Sequence, residues 1–407
     1  MSTRIAAFCM ADPGHFQRIR ALTADLHEQG ATAHVFTHRR FQAEVEQAGG
    51  IFADLFGQHQ VDEADDESWP PPMRYVAFAA RHAEEIRADV EAVRASLVIH
   101  DSFTVIGHVM AQALGLPRVF VCSGHAVVPE RFRAVLRAHP LLRISARCTA
   151  AVDDLRTRYG IEDASPFLYI GSPSPDLNIY GEPPEFLDAD SRRAFEPVAF
   201  YGCLPATCLR QAGGPSYFGS SPACGLRVFI SFGTLIWNAR PREAVGAVEA
   251  IARALAERPN TRCLLALGGC LISPTDRQTL IALGMRVEDY VDQWAVLQET
   301  DVFVTHHGSN STHEAVFHQV PMLSYPFIWD QPQLAKTCER LGLAIPLAAR
   351  PMAPITADDV NAALDRAERS RDAMRAALAV ARRWELEVID ARPGVLRRIL
   401  EVSRRTS

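Results

Sequence analysis

Short apolar runs and amphipathic stretches alternate along this chain. Near-continuous apolar runs lie at 5–10, 32–37, 97–101 and 118–121, and stretches with helical spacing follow the first three at 16–29, 41–48 and 106–114. Strands punctuated by amphipathic helices predict βαβ units and a parallel sheet. A second series of the same kind runs through strands at 228–232, 263–267, 285–291, 302–305 and 322–325. Its helices are expected at 244–256 and 334–341, with more beyond 357 and a last one at about 394–405. Two stretches break the rhythm. Residues 205–225 are rich in Gly, Ser and Pro and carry no periodicity, which marks an interdomain linker. Residues 59–73 carry Asp62, Glu63, Asp65, Asp66 and Glu67, then Trp69 and three prolines, and read as a mobile loop. The pattern predicts an α/β protein with domains at 1–204 and 226–390 and a C-terminal helix at 391–407.

The chemistry gathers where strands end. The run 302–305 passes through His306-His307-Gly308 into Ser309-Asn310-Ser311-Thr312-His313-Glu314, with Ser311 and Glu314 spaced as a capping box. A strand–turn–helix presents backbone N–H groups and a positive dipole end, a ready anion site. His306 can add a hydrogen bond or a charge, and Glu314 can accept from vicinal hydroxyls. Together these suit a nucleoside diphosphate and its ribose. Ligands of doubly wound sheets sit beyond the carboxyl ends of strands, where His15, Asp101, Gly233-Thr234 and His306 all fall.

Composition narrows the classes. The chain has 407 residues, more than one core usually organises, and is 48% hydrophobic and 22% charged, as globular proteins are. A net charge of −6 and a pI near 6.2 argue against nucleic acid as a partner. No run of about 18 apolar residues exists to span a membrane, and the N-terminus lacks a signal segment, so a cytoplasmic protein is expected. Nine scattered cysteines show neither a disulfide framework nor metal-ligand spacing.

The 302–315 segment, closed by Asp330-Gln331, resembles the nucleotide-sugar signature of the UDP-glycosyltransferase superfamily. Tyr290-Val291-Asp292-Gln293 stands where the family usually has Trp-x-Pro-Gln, and Val320-Pro321-Met322 with Pro326 matches its ending. Gly14-His15 and His100-Asp101-Ser102-Phe103 fall where the family places a catalytic His and its partner Asp. Leu177-Asn178-Ile179, Pro184-Glu185-Phe186 and Phe200-Tyr201-Gly202 resemble bacterial macrolide-type enzymes.

The resemblance implies the GT-B fold, two Rossmann-like doubly wound domains with the active site in the cleft between them. It implies an inverting, metal-independent transfer from a UDP-sugar, glucose or N-acetylglucosamine favoured, to a hydroxyl of a small natural-product acceptor. His15 would be the general base and Asp101 its partner. Gly233, Thr234, Tyr290, Val291, Gln293, His306, Gly308, Ser309, Asn310, Ser311, Glu314, Asp330 and Gln331 would hold the donor. The apolar or aromatic groups in or beside N-terminal loops, Trp69, Met73, Phe103, His125 and Phe132, would line the acceptor side and suit a flat or polycyclic aglycone. No cofactor is expected beyond the UDP-sugar co-substrate, and the protein would be a monomer or homodimer.

The departures are specific. Tyr290 replaces Trp, Asp292 replaces Pro, His307 replaces a Gly, and Gln17-Arg18 replaces Asn-Pro. His307 would adopt the left-handed region or reshape the phosphate pocket. Competing readings are a dTDP-deoxysugar enzyme, a UDP-GlcNAc 2-epimerase, and an inactive helper that should have lost His15, Asp101 or Glu314. A metal site among His306, His307, His313 and His318 lacks a His–carboxylate pattern at helical spacing.

Overall fold

The computed structural model describes residues 3–59, 61, 67–125, 128–170, 173–204, 216–219 and 225–404. Most of the expected linker, and Asp62, Glu63, Asp65 and Asp66 of the acidic loop, lie outside the described residues. The chain divides into two compact units: residues 1–203 with 388–407, and residues 204–387.

The first unit is built on a seven-stranded sheet. Its strands are β1 (Arg4–Phe8), β2 (Thr32–Thr37), β3 (Ile51–Asp54), β4 (Leu97–Asp101), β5 (Arg118–Cys122), β6 (Leu177–Tyr180) and β7 (Val198–Phe200). They lie in the order β3-β2-β1-β4-β5-β6-β7, and every pairing is parallel. The second unit has a six-stranded parallel sheet of β8 (Leu226–Ser231), β9 (Thr261–Ala266), β10 (Met285–Glu288), β11 (Val302–Thr305), β12 (Met322–Ser324) and β13 (Ala344–Pro346). Its order is β10-β9-β8-β11-β12-β13.

Parallel strands are covered on both faces, so their sequences are apolar throughout rather than alternating. All five residues of β4 and all four of β11 are buried. In each sheet the order reverses once, between β1 and β4 in the first unit and between β8 and β11 in the second. Chain leaving the two central strands there diverges to opposite faces and opens a crevice at their carboxyl ends. Phe8 pairs with His100, and Ser231 with Thr305, so the exits of the paired strands lie side by side within each unit.

The elements differ from the sequence expectation mainly at their ends. The first helix is Pro13–Glu28 rather than 16–29, because the Asp12 side chain accepts from the Gly14 and His15 N–H groups and Pro13 fits the first turn. His15 therefore sits inside the first turn. A 20-residue helix, Arg74–Val93, follows the proline segment and buries Val76, Ala83, Ile86 and Val90 along one stripe.

In place of a separate last helix, a single 32-residue helix, Arg371–Val402, runs through Pro393. Its C-terminal part seals the first sheet, with Val395, Leu396, Ile399 and Val402 in that core. The Arg392 guanidinium donates to the Tyr201 carbonyl at 2.8 Å and lies over the Tyr201 ring. The N-terminal part of the same helix is tied to the second unit by a sealed pair, His313 Nδ1 to Glu385 Oε1 at 2.5 Å. Removing one member of such a pair leaves the other buried and uncompensated. His313→Ala should therefore cost about 3 kcal/mol or more in urea unfolding, and a loss within about 0.5 kcal/mol, as at an ordinary surface position, would show that the pair carries no such weight.

Candidate active site

In the first unit the site is organised by Asp101, the last residue of β4 and fully buried. Its Oδ1 accepts from the Phe103 N–H at 2.9 Å, and from the Thr104 N–H and hydroxyl at 3.0 Å each. Its Oδ2 accepts from the Met10 N–H at 2.9 Å, just beyond β1. The His15 Nδ1 stands 3.5 Å from Oδ2, an ion-pair distance rather than a short hydrogen bond. Burial alone would raise the Asp101 pKa. The His15 interaction and the backbone donors outweigh it and hold the carboxyl down at about 2. Asp101 is thus an anion at working pH, fixed by three backbone amides, with a partly exposed imidazole against it. That arrangement orients the ring through Nδ1 and leaves Nε2 as the atom able to take a proton.

Around this pair lies an aromatic wall. The His15 ring meets Phe103 edge-on at 5.0 Å, and Phe103 in turn contacts Tyr169 at 5.7 Å and Tyr75 at 6.4 Å. Of the five acceptor-side residues expected from sequence, Phe103 is the one the structure places directly on His15. Trp69 stacks on His139 and bridges to Arg143, and Phe132 lies on the helix Pro129–Arg137. Met73 is fully enclosed, as is Tyr169 of the wall. His125 is buried with its Nδ1 2.7 Å from Glu182, whose Oε2 also accepts from the Tyr180 hydroxyl at 2.7 Å. Tyr75, Tyr169, Tyr180 and Glu182 were not read from the sequence. Only their tertiary neighbours distinguish them from other strand and helix residues.

In the second unit, β11 delivers His306. Its ring lies against two glycines: a Cβ would stand 2.7 Å from His306 Nε2 at Gly233 and 2.5 Å from it at Gly308. Gly233 also has φ +69°, and a Cβ at Gly268 would approach the Gly233 carbonyl to 2.8 Å. The loops after β8, β9 and β11 thus close on one another around the His306 ring, with glycine at each point of approach. The Gly268-Gly269 pair was the available sequence signal for the middle loop. Burial pushes His306 down to about 4, so at neutral pH it supplies a hydrogen bond and no charge.

His307 adopts the left-handed conformation, φ +60°. Its ring is fully buried, with Nε2 2.8 Å from the Ser324 hydroxyl and Nδ1 3.3 Å from that of Thr312. It therefore braces β12 to the turn and does not enter the pocket.

The capping box at Ser311 and Glu314 does not form. The helix is Ser309–Phe317 with Gly308 as its N-cap, and no capping side chain is present. Ser311 and Glu314 instead meet Gln293, whose Nε2 donates to Ser311 Oγ at 3.1 Å and to Glu314 Oε2 at 2.7 Å. The spacing was satisfied, but a partner 18 and 21 residues upstream claimed both side chains.

Beside this cluster, Asp292 caps the helix Gln293–Glu299, Val291 is buried, and Tyr290 is 77% exposed. Tyr217, which sequence reading did not select, accepts from the Asp292 N–H at 2.9 Å. Gln331 is buried, its Oε1 accepting from the Phe327 and Ile328 N–H groups, and Asp330 immediately precedes its helix, Gln331–Arg340. Thr234 follows Gly233 in the loop after β8, and Ser309 and Asn310 open the helix beside Gly308. Of the four histidines weighed as metal ligands, His306 and His307 are placed as above. His313 pairs with Glu385, and His318 packs on Trp294 with burial lowering it to about 4.

Residues 196–374 match the UDP-glucoronosyl and UDP-glucosyl transferase family. That stretch is just under half of the chain, and the resemblance to UDP-glycosyltransferases is carried by it. It is 28% identical over 268 residues to a zeaxanthin glucosyltransferase of Pantoea ananas, a match covering 58% of this chain and 57% of that relative. The chain thus spans little more than half of that relative's length. Two solved structures share the GT-B architecture across nearly their whole length. The glycotransferase of kitacinnamycin has a TM-score of 0.72 at 21% identity, covering 98% of this chain and 99% of that one. The calicheamicin glycosyltransferase has a TM-score of 0.72 at 20% identity, covering 99% of both chains.

Within the matched stretch, Glu314 carries a measurable signature of its surroundings. Burial raises its carboxyl to about 7, with Asp292 adding repulsion and the Gln293 hydrogen bond opposing. The folded state therefore binds this proton more tightly than the unfolded chain. The resulting stability is full below about pH 4.5 and is lost as pH rises through 7. Subtracting the unfolding free energy of Glu314→Gln from that of the unaltered protein should give a difference that falls across this window and levels off above it. A difference that stays level would place Glu314 in an ordinary solvated setting.

Proposed function

We propose that this protein is an inverting glycosyltransferase that moves a sugar from UDP to a hydroxyl of a small, largely apolar acceptor. The observation that carries the reading is His15 held by its Nδ1 against the buried anion of Asp101. In the proposed step the acceptor oxygen attacks the anomeric carbon, its proton passes to His15 Nε2, and the carbon–oxygen bond to the diphosphate breaks on the opposite side. Asp101 stabilises the imidazolium without taking the proton. The charge developing on the departing diphosphate is met by the N-terminus of the helix Ser309–Phe317, by the turn Gly233-Thr234, and by a hydrogen bond from neutral His306. This stabilisation comes from the protein itself and calls for no divalent cation.

Gln293, Ser311 and Glu314 form a cluster suited to the two hydroxyls of a ribose, and exposed Tyr290 offers a face for the base. That supports UDP over a deoxyribose nucleotide. Asp330 and Gln331 are assigned to the sugar by resemblance, with glucose or N-acetylglucosamine favoured. The Phe103–Tyr169–Tyr75 wall beside His15 supports a flat or polycyclic acceptor. The likeness to enzymes named for zeaxanthin, kitacinnamycin and calicheamicin points the same way.

His15→Ala should cut turnover with a hydroxyl acceptor by about 10²-fold or more while leaving UDP affinity nearly unchanged. Unchanged turnover would remove His15 from the role of base. Donor and acceptor are tested together by mass spectrometry of products formed from UDP-glucose, UDP-N-acetylglucosamine and dTDP-glucose with a panel of aromatic, macrocyclic, saccharide and lipid alcohols. Transfer from a UDP-sugar to aromatic or macrocyclic alcohols is expected, and Glu314→Ala should narrow the preference for UDP over dTDP. A preference for dTDP in the unaltered protein would overturn the ribose assignment, and transfer only to saccharides or lipids would overturn the acceptor class.

A further inference from the structure

Three ligand-bearing side chains that the proposed transfer does not use converge in the first unit. His59 follows the short helix Leu55–Gln58 after β3, while His82 and Glu85 stand one turn apart on the helix Arg74–Val93. The Nδ1 atoms of both imidazoles lie 3.1 Å from the same Glu85 oxygen, and the ring centroids are 4.9 Å apart. Each residue offers one donor atom, and the three lie within 4.8 Å of one another, the one such convergence among the described residues. The two imidazoles are largely buried at 11% and 12% exposure, while Glu85 is 63% exposed and leaves one side open to solvent.

The spacing is compatible with a metal as well as with an ion pair. A tetrahedral zinc with ligand bonds of about 2.0–2.1 Å has ligand–ligand edges of about 3.3 Å, close to both observed nitrogen–oxygen separations. A His82–Glu85 contact alone would need nothing more than helical spacing. It gives no reason for a second, enclosed imidazole to reach the same oxygen from a different element. The set brings together two ring nitrogens and one carboxylate oxygen. A cavity of about 240 Å³ beside His59, lined also by Asp54 and Asp89, has room for a water as fourth ligand.

We propose that His59, His82 and Glu85 form a binding site for a divalent transition metal, zinc by preference, that fastens the segment after β3 to the helix Arg74–Val93. The site is structural and separate from the transfer chemistry. Tyr75 of the aromatic wall lies on that same helix, so fixing the helix would steady the wall.

The test uses the full chain without an affinity tag, stripped with EDTA and titrated with cobalt chloride. Tetrahedral cobalt gives intense visible absorption, and zinc should then displace it at one equivalent per chain. Glu85→Gln, at an exposed position where folding is not at stake, and His82→Ala should each weaken binding by about 100-fold or more. Zinc should raise the melting temperature of the unaltered protein and leave that of Glu85→Gln unmoved. Absent saturable binding, weak octahedral spectra, or an affinity unchanged in both variants would overturn the site.

Discussion

The first unit depends on one carboxylate. Asp101 joins three pieces of chain: the exit of β1 through Met10, the turn after β4 through Phe103 and Thr104, and the first turn of the helix Pro13–Glu28 through His15. Each is a backbone or ring nitrogen facing the same two oxygens. A buried carboxylate with these donors is stable only as an anion, and an anion at a strand end holds the imidazole in a single orientation. The interaction that closes the loops is therefore also the one that positions the His15 ring. Substituting Asn would keep much of the shape and lose the charge.

The second unit is governed by a steric constraint rather than a charge. Three loops approach within a side chain's width at Gly233, Gly268 and Gly308, and the His306 ring occupies the space that Cβ atoms would need. His307 shows how a residue other than Gly survives at φ +60° there, since its ring is absorbed by the Ser324 and Thr312 hydroxyls. Local strain is offset by non-local hydrogen bonds.

Much of this was legible in the chain, and the limits have physical causes. The strands at 32–37, 97–101 and 302–305 were delimited to the residue, because buried parallel strands write largely apolar runs ended by polar turns. The placing of His15, Asp101, Gly233 and His306 at strand ends followed from the same pattern. Helix starts were displaced where a cap outside the periodic stretch set them, as Asp12 does. The capping box expected of Ser311 and Glu314 does not form, because helical spacing is local whereas Gln293 reaches both side chains from another helix. Helix Arg74–Val93 went unread beside the acidic and proline-rich stretch, and with it the meeting of His82 and Glu85 with His59. No spacing rule pairs residues 23 positions apart on separate elements.

The single helix Arg371–Val402 also bears on the order in which the protein matures. The first unit is discontinuous, since Val395, Leu396, Ile399 and Val402 complete its core although all of residues 204–387 separate them from β7. During synthesis the first sheet is made early but stays uncapped until the ribosome has passed the entire second unit. Translation thus exposes an apolar face for the time needed to make some 190 residues, about 10–40 s at ordinary elongation rates. The second unit, continuous in the chain, has its parts in hand earlier. Although it emerges second, it can be the first to finish.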